Sequence, residues 1–100
     1  MGSTRVLLVD DDALVRLALT RTLADGADLE VVGEAGNGDE AVLSVERLRP
    51  HIVIMDLRMP RMDGIAATRE IRAKFPEVQT IGLSEYAYGY HADAMLKAGP

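Results

Sequence analysis

A run of four apolar residues, Ile52-Val53-Ile54-Met55, ends at a single acid, Asp56. A strand with one face in water alternates apolar and polar side chains, so a run that is apolar at every position predicts a strand covered on both faces. Parallel sheets with helices on each side provide that environment. This run therefore predicts an α/β fold built around a parallel sheet.

The same alternation of short apolar runs and helical patterns continues along the chain. Strands are predicted over residues 5–10, 29–35, 51–55 and 78–83, and helices over 13–25, 39–49, 65–75 and 88–98. This order is the doubly wound pattern, with right-handed crossovers between parallel strands.

The first helix shows an N-cap and an apolar face. Asp12 is the predicted N-cap, and Leu14, Ala18, Leu19 and Leu23 are predicted to share the face that packs on the sheet.

Three glycines near the second strand have the wrong spacing for a dinucleotide-binding fingerprint. Gly33, Gly36 and Gly38 are interpreted as turn residues instead.

Composition limits the class of protein. With 100 residues, 48% of them hydrophobic, one domain over residues 4–100 is expected, and Met1-Gly2-Ser3 resembles an expression remnant. A net charge of -5 argues against direct nucleic-acid binding. No apolar stretch approaches the roughly 20 residues of a membrane span, no signal peptide is evident, and cysteine is absent, so a cytoplasmic protein without membrane contact is expected.

Acidic residues follow two of the predicted strands. Asp10, Asp11 and Asp12 come after Val6–Val9, and Asp56 ends the third run. Because the carboxyl ends of parallel strands meet at one edge of a sheet, Asp10, Asp11 and Asp56 are expected to converge, with Ser84 on the same rim. Crowded carboxylates without histidine or cysteine ligands favour Mg²⁺.

Magnesium at such an edge indicates phosphoryl chemistry. Asp56 stands alone on its strand, so it is the best candidate for a carboxylate that attacks phosphorus, while the paired acids hold the ion. Asp12 is interpreted as an N-cap and not as a ligand.

Two segments carry a resemblance to a known family. Val9-Asp10-Asp11-Asp12 and the run from Met55-Asp56 to Met62-Asp63-Gly64, together with Leu83-Ser84, resemble the response-regulator receiver domain of two-component signalling. The resemblance implies a flavodoxin-like sheet of strand order 2-1-3-4, a phosphoacceptor at Asp56 and a sensor histidine kinase or phosphotransfer protein as partner. It also implies magnesium ligands from Asp11, Asp56 and the Arg58 carbonyl, help from Asp10 through water, and a phosphoryl-contacting switch hydroxyl at Ser84.

The resemblance does not extend to the last strand and helix of a receiver domain. Receivers normally continue into a fifth strand ending in a lysine and a fifth helix, and these have no counterpart before Pro100. Loss of that lysine is expected to slow phosphorylation, since a single electrostatic donor is worth ~3–4 kcal/mol. The fourth strand would then be an uncovered edge, which predicts self-association or segment exchange near residues 78–100. The sequence of residues 31–35 resembles that of transcription regulators with a helix-turn-helix output.

The sequence is compatible with three functions. The first is a Mg²⁺-dependent phosphoacceptor switch that assists its own phosphorylation and dephosphorylation without being an enzyme. The second is a receiver-derived fragment that serves as a non-phosphorylated interaction or dimerisation module. The third, an aspartate-based phosphatase, is disfavoured because Arg58 stands where a second acid is needed two residues after Asp56.

Overall fold

The computed structural model describes residues 3–25, 28–56 and 64–83. Strands and helices alternate along them: β1 (Thr4–Val9), α1 (Ala13–Ala24), β2 (Leu29–Ala35), α2 (Gly38–Leu48), β3 (Ile52–Asp56), α3 (Gly64–Lys74) and β4 (Gln79–Leu83). The four strands form one sheet in the order β2-β1-β3-β4, and every neighbouring pair is parallel. The predicted flavodoxin-like fold is therefore confirmed, whereas the predicted helix over 88–98 lies outside the described residues.

The register of the central strands sets the position of the acidic residues. Val9 of β1 pairs with Met55 of β3, so the residues that follow them, Asp10 and Asp56, lie side by side at the carboxyl edge of the sheet. Asp56 pairs in turn with Leu83 of β4.

Strand β2 contains a bulge next to Gly33. Val6 pairs with Val31 but Leu7 pairs with Gly33, so β2 has one extra residue in this ladder. A Cβ atom on Gly33 would lie 2.5 Å from Cδ1 of Leu48. The prediction that Gly33 is a turn residue is wrong: it lies inside the strand, where the absence of a side chain makes room for α2.

One face of the sheet carries the main core. Helices α2 and α3 cover it, and α2 presents its buried Ala41, Val42 and Val45. The buried cluster comprises Leu7, Val9, Ala35, Ala41, Val42, Val45, Val53, Met55, Ala67, Ile71, Phe75 and Val78. This layer fixes β1 and β3, and therefore the strand tips that carry the acids.

Helix α1 covers β1 and β2 on the opposite face, and only part of its predicted apolar face packs there. Leu14 is 75% exposed and Ala18 is exposed, while Leu19 and Leu23 are half-buried. Arg16 is half-buried as well, because its guanidinium bonds to a β2 side chain and to the turn after β1 beneath the helix. No helix in these parts of the chain is long and apolar enough to cross a bilayer.

Candidate metal centre

Three carboxylates meet at the carboxyl edge of the sheet. Asp10, Asp11 and Asp56 each offer one oxygen, and these oxygens all lie within 4.8 Å of one another. Asp10 and Asp56 are half-buried and Asp11 is exposed. The cluster thus has two partly buried acids and one that faces solvent.

The turn after β1 is held by hydrogen bonds from both sides. The backbone N–H of Asp10 donates to the carbonyl of Ala35 at 3.0 Å, which ties the end of β1 to β2. The N–H of Asp12 donates to Oδ1 of Asp10 at 2.9 Å, and the N–H of Leu14 donates to Oδ1 of Asp12 at 2.9 Å. Asp12 is therefore the N-cap of α1, as predicted, and its carboxylate serves the helix.

Charge and burial act together on Asp10. Burial raises the pKa of this carboxyl above its ordinary value, and the neighbouring charges of Asp11 and Asp12 raise it further. The hydrogen bond from the Asp12 N–H and the charge of Arg16 act in the opposite direction but do not cancel the rise in pKa. Asp10 is consequently ionised at a free-energy cost, which a bound cation would relieve.

The donor set fits magnesium. Mg²⁺ takes oxygen ligands at about 2.1 Å in an octahedron, which places ligand oxygens about 3.0 to 4.2 Å apart. The separation of up to 4.8 Å between the three carboxylate oxygens needs only a small contraction to reach that range. The described cluster contains no nitrogen or sulfur ligand, and such hard oxygen sites suit magnesium better than zinc or copper.

Sequence reasoning missed two residues beside the cluster. The Arg16 guanidinium donates from Nε to Oε1 of Glu34 at 2.7 Å and from Nη1 to the carbonyl of Asp10 at 2.5 Å. Arg16 shares its helical side with Leu19 and Leu23 at spacings of three and seven residues. This spacing, which places a charged residue on the same helical side as two leucines, is the sequence signal that Arg16 faces the sheet.

Two predicted site residues lie outside the described part of the chain. Arg58, whose carbonyl is a predicted magnesium ligand, and Ser84, the predicted switch hydroxyl, both fall there. Their roles stay predictions.

Comparison with known proteins identifies the family. The profile of the response regulator receiver domain matches residues 6–100. The chain therefore belongs to the response-regulator receiver domain family, as the sequence resemblance predicted.

Individual relatives agree with this assignment. The response regulator GacA of Pseudomonas protegens is 39% identical over 95 residues, which is 95% of this chain and 45% of that protein. The receiver domain of Thermotoga maritima CheB superposes with a TM-score of 0.92 at 33% identity, over 97% of this chain and 73% of that one. A CheX-CheY-BeF3-Mg complex from Borrelia burgdorferi matches with a TM-score of 0.91 at 26% identity, over 98% of this chain and 74% of that one. The chain spans less than half the length of curated relatives such as GacA.

Proposed function

We propose that this domain accepts a phosphoryl group on Asp56 in a Mg²⁺-dependent reaction and acts as a signalling switch. The observation that carries the proposal is the approach of the Asp10, Asp11 and Asp56 oxygens to within 4.8 Å of one another. A relative from Borrelia burgdorferi was solved in a complex that contains magnesium and a beryllofluoride group, which supports magnesium as the ion.

The residues divide the chemistry between them. A carboxylate oxygen of Asp56 attacks phosphorus, a P–O bond forms, and the P–N bond to a phosphohistidine breaks, so that the imidazole leaves with its electron pair and takes up a proton. Bound magnesium supplies charge neutralisation for the phosphoryl oxygens. Asp11 and the Arg58 carbonyl would hold the ion with Asp56, Asp10 would assist through water, and the Ser84 hydroxyl would contact the phosphoryl group.

The partners follow from this reaction. The phosphodonor is a sensor histidine kinase or a phosphotransfer protein, and the unit over residues 4–100 is a cytoplasmic phosphoprotein in a two-component phosphorelay. Regulation of transcription is the proposed output, because residues 31–35 resemble those of transcription regulators with a helix-turn-helix output. The acidic balance of the chain, with a net charge of -5, supports an indirect role at DNA.

Labelling with a small phosphodonor tests the proposal. Acetyl phosphate with Mg²⁺ should add one phosphoryl group to the intact protein, as read by mass spectrometry, and a chelator should abolish the addition. Asp56→Asn should reduce labelling to background because the amide oxygen is a much weaker nucleophile than a carboxylate. The matched control is Asp39→Asn, which removes an exposed acid from α2 and should label like the wild type. Undiminished labelling of Asp56→Asn would refute the proposal.

A second function is favoured by the exposed side chains of β4. Ile81 is 47% exposed and Leu83 is 40% exposed, and β4 has a strand neighbour only at β3 in the described sheet. An apolar edge strand with one partner is a template for pairing with another chain. We propose self-association through this edge, which would also serve a domain that acts as an interaction module without being phosphorylated.

A further inference from the structure

Arg16 reaches the acidic turn from the helix above it. Its side chain is 20% exposed, and the guanidinium lies between the ends of β1 and β2. Nε donates to Oε1 of Glu34 at 2.7 Å, while Nη1 donates to the carbonyl oxygen of Asp10. One planar group therefore connects α1, β2 and the turn that carries the acids.

The accepting carbonyl has a special place in the turn. It belongs to the peptide that joins Asp10 to Asp11, so its orientation sets the direction in which both carboxylates leave the backbone. Inside the turn, the N–H of Asp12 bonds to the side chain of Asp10 and the N–H of Arg16 bonds to the carbonyl of Asp12. The Arg16 guanidinium adds an anchor from outside the turn, and Glu34 fixes the guanidinium in its plane.

We propose that Arg16 is a positioning residue for the metal centre: its guanidinium, oriented by Glu34, holds the Asp10–Asp11 peptide so that both carboxylates face the cation shared with Asp56. The inference rests on the proposed magnesium-dependent function and adds the side chain that shapes the site. Arg16 touches neither the ion nor the phosphoryl group in this role.

A positioning role can be separated from a purely electrostatic effect of Arg16, because the two predict opposite changes in Mg²⁺ affinity when the residue is replaced. A positive charge near a cation site repels the cation, so charge alone predicts that Mg²⁺ binds more tightly once Arg16 is neutralised. Positioning predicts weaker binding, because residues that orient metal ligands are typically worth 10–100-fold in metal affinity. The direction of the change decides between the two accounts.

The experiment is a calorimetric Mg²⁺ titration of the whole chain. Arg16→Gln should raise the Kd about 10–100-fold. Arg16→Lys keeps the charge but one ammonium group cannot reproduce the planar fork, so its Kd should also rise, by less than that of Arg16→Gln. Arg21→Gln, an exposed position on the same helix, removes the same charge and should leave the Kd within about 2-fold of wild type.

Two further readouts separate positioning from general damage to the fold. Circular dichroism melts set a temperature at which every variant is folded, and Arg16→Lys provides the test if Arg16→Gln does not fold. The rate of Asp56 labelling by acetyl phosphate should return to the wild-type rate at saturating Mg²⁺, because the variant loses ion affinity and keeps its nucleophile.

The outcomes distinguish the inference from the function beneath it. The positioning role alone is overturned if the wild type binds Mg²⁺ and Arg16→Gln binds it equally or more tightly. An unchanged Kd in Arg16→Lys has the same consequence. A wild-type chain that binds no Mg²⁺ overturns the proposed function and the positioning role together.

Discussion

Asp10 combines a structural and an electrostatic role at the scale of a single residue. Its Oδ1 accepts the N–H of Asp12 and so shapes the turn, while burial and two neighbouring acids raise the pKa of its carboxyl. A raised pKa means that the folded state binds this proton more tightly than the unfolded chain does. The free energy of unfolding therefore falls as the pH rises from about 3.8 through the raised pKa of Asp10.

Asp10→Asn should raise the free energy of unfolding at neutral pH when no metal is present, because it removes the charge of this carboxylate. The amide oxygen can still accept from the Asp12 N–H, and the repulsion removed is about 1 kcal/mol for unit charges ~4 Å apart in water. In chelator at pH 7 the variant should melt about 4–8 °C above the wild type, with a smaller gap near pH 4. Thermal unfolding across that pH range is the measurement.

The same pair of proteins provides the control. Saturating Mg²⁺ should stabilise the wild type more than Asp10→Asn, because the ion binds only the folded state and prefers the intact cluster. Asp39→Asn serves as the matched variant outside the cluster. A lower melting temperature for Asp10→Asn than for wild type in chelator would contradict the electrostatic account.

Whole elements were the most predictable part of the fold. Residues 29–35 were predicted as a strand and form β2, and the helix predicted over 39–49 is α2 at Gly38–Leu48. Apolar periodicity and caps identify such elements because each signal is local. The bulge in β2 was not predicted, although a glycine inside a strand is a local sign of one.

The exposed edge of β4 predicts that the chain self-associates through this strand. The apparent mass from light scattering should rise with protein concentration, and Ile81→Lys should reduce that rise because lysine blunts an edge strand. Leu43→Lys is the matched control, since Leu43 is an exposed apolar residue on α2, away from the edge. A constant monomer mass for the wild type across a wide concentration range would remove the proposal.

At the scale of the whole molecule, the sheet brings together what the sequence separates. The convergence of Asp10, Asp11 and Asp56 could be predicted because it depends on topology alone: parallel strands place their carboxyl ends on one edge. The bridge from Arg16 to Glu34 and the Asp10 carbonyl could not be predicted, because it depends on how α1 is rotated on the sheet. The side of α1 that faces the sheet carries Arg16 as well as half-buried leucines.

The proposed metal centre requires that the acids at the ends of β1 and β3 share one magnesium ion. The most direct measurement is a Mg²⁺ titration of the ¹⁵N-labelled protein, followed by amide shifts at both strand tips. Saturable shifts are predicted for Asp10, Asp11 and Asp56 with a single Kd, and Asp11→Asn and Asp56→Asn should each weaken that Kd at least about 10-fold. Amides at the opposite edge of the sheet, such as Arg5 and Gln79, should not move. Strand-tip amides that stay unshifted at saturating Mg²⁺, or shifts that persist unchanged in both variants, would contradict the account.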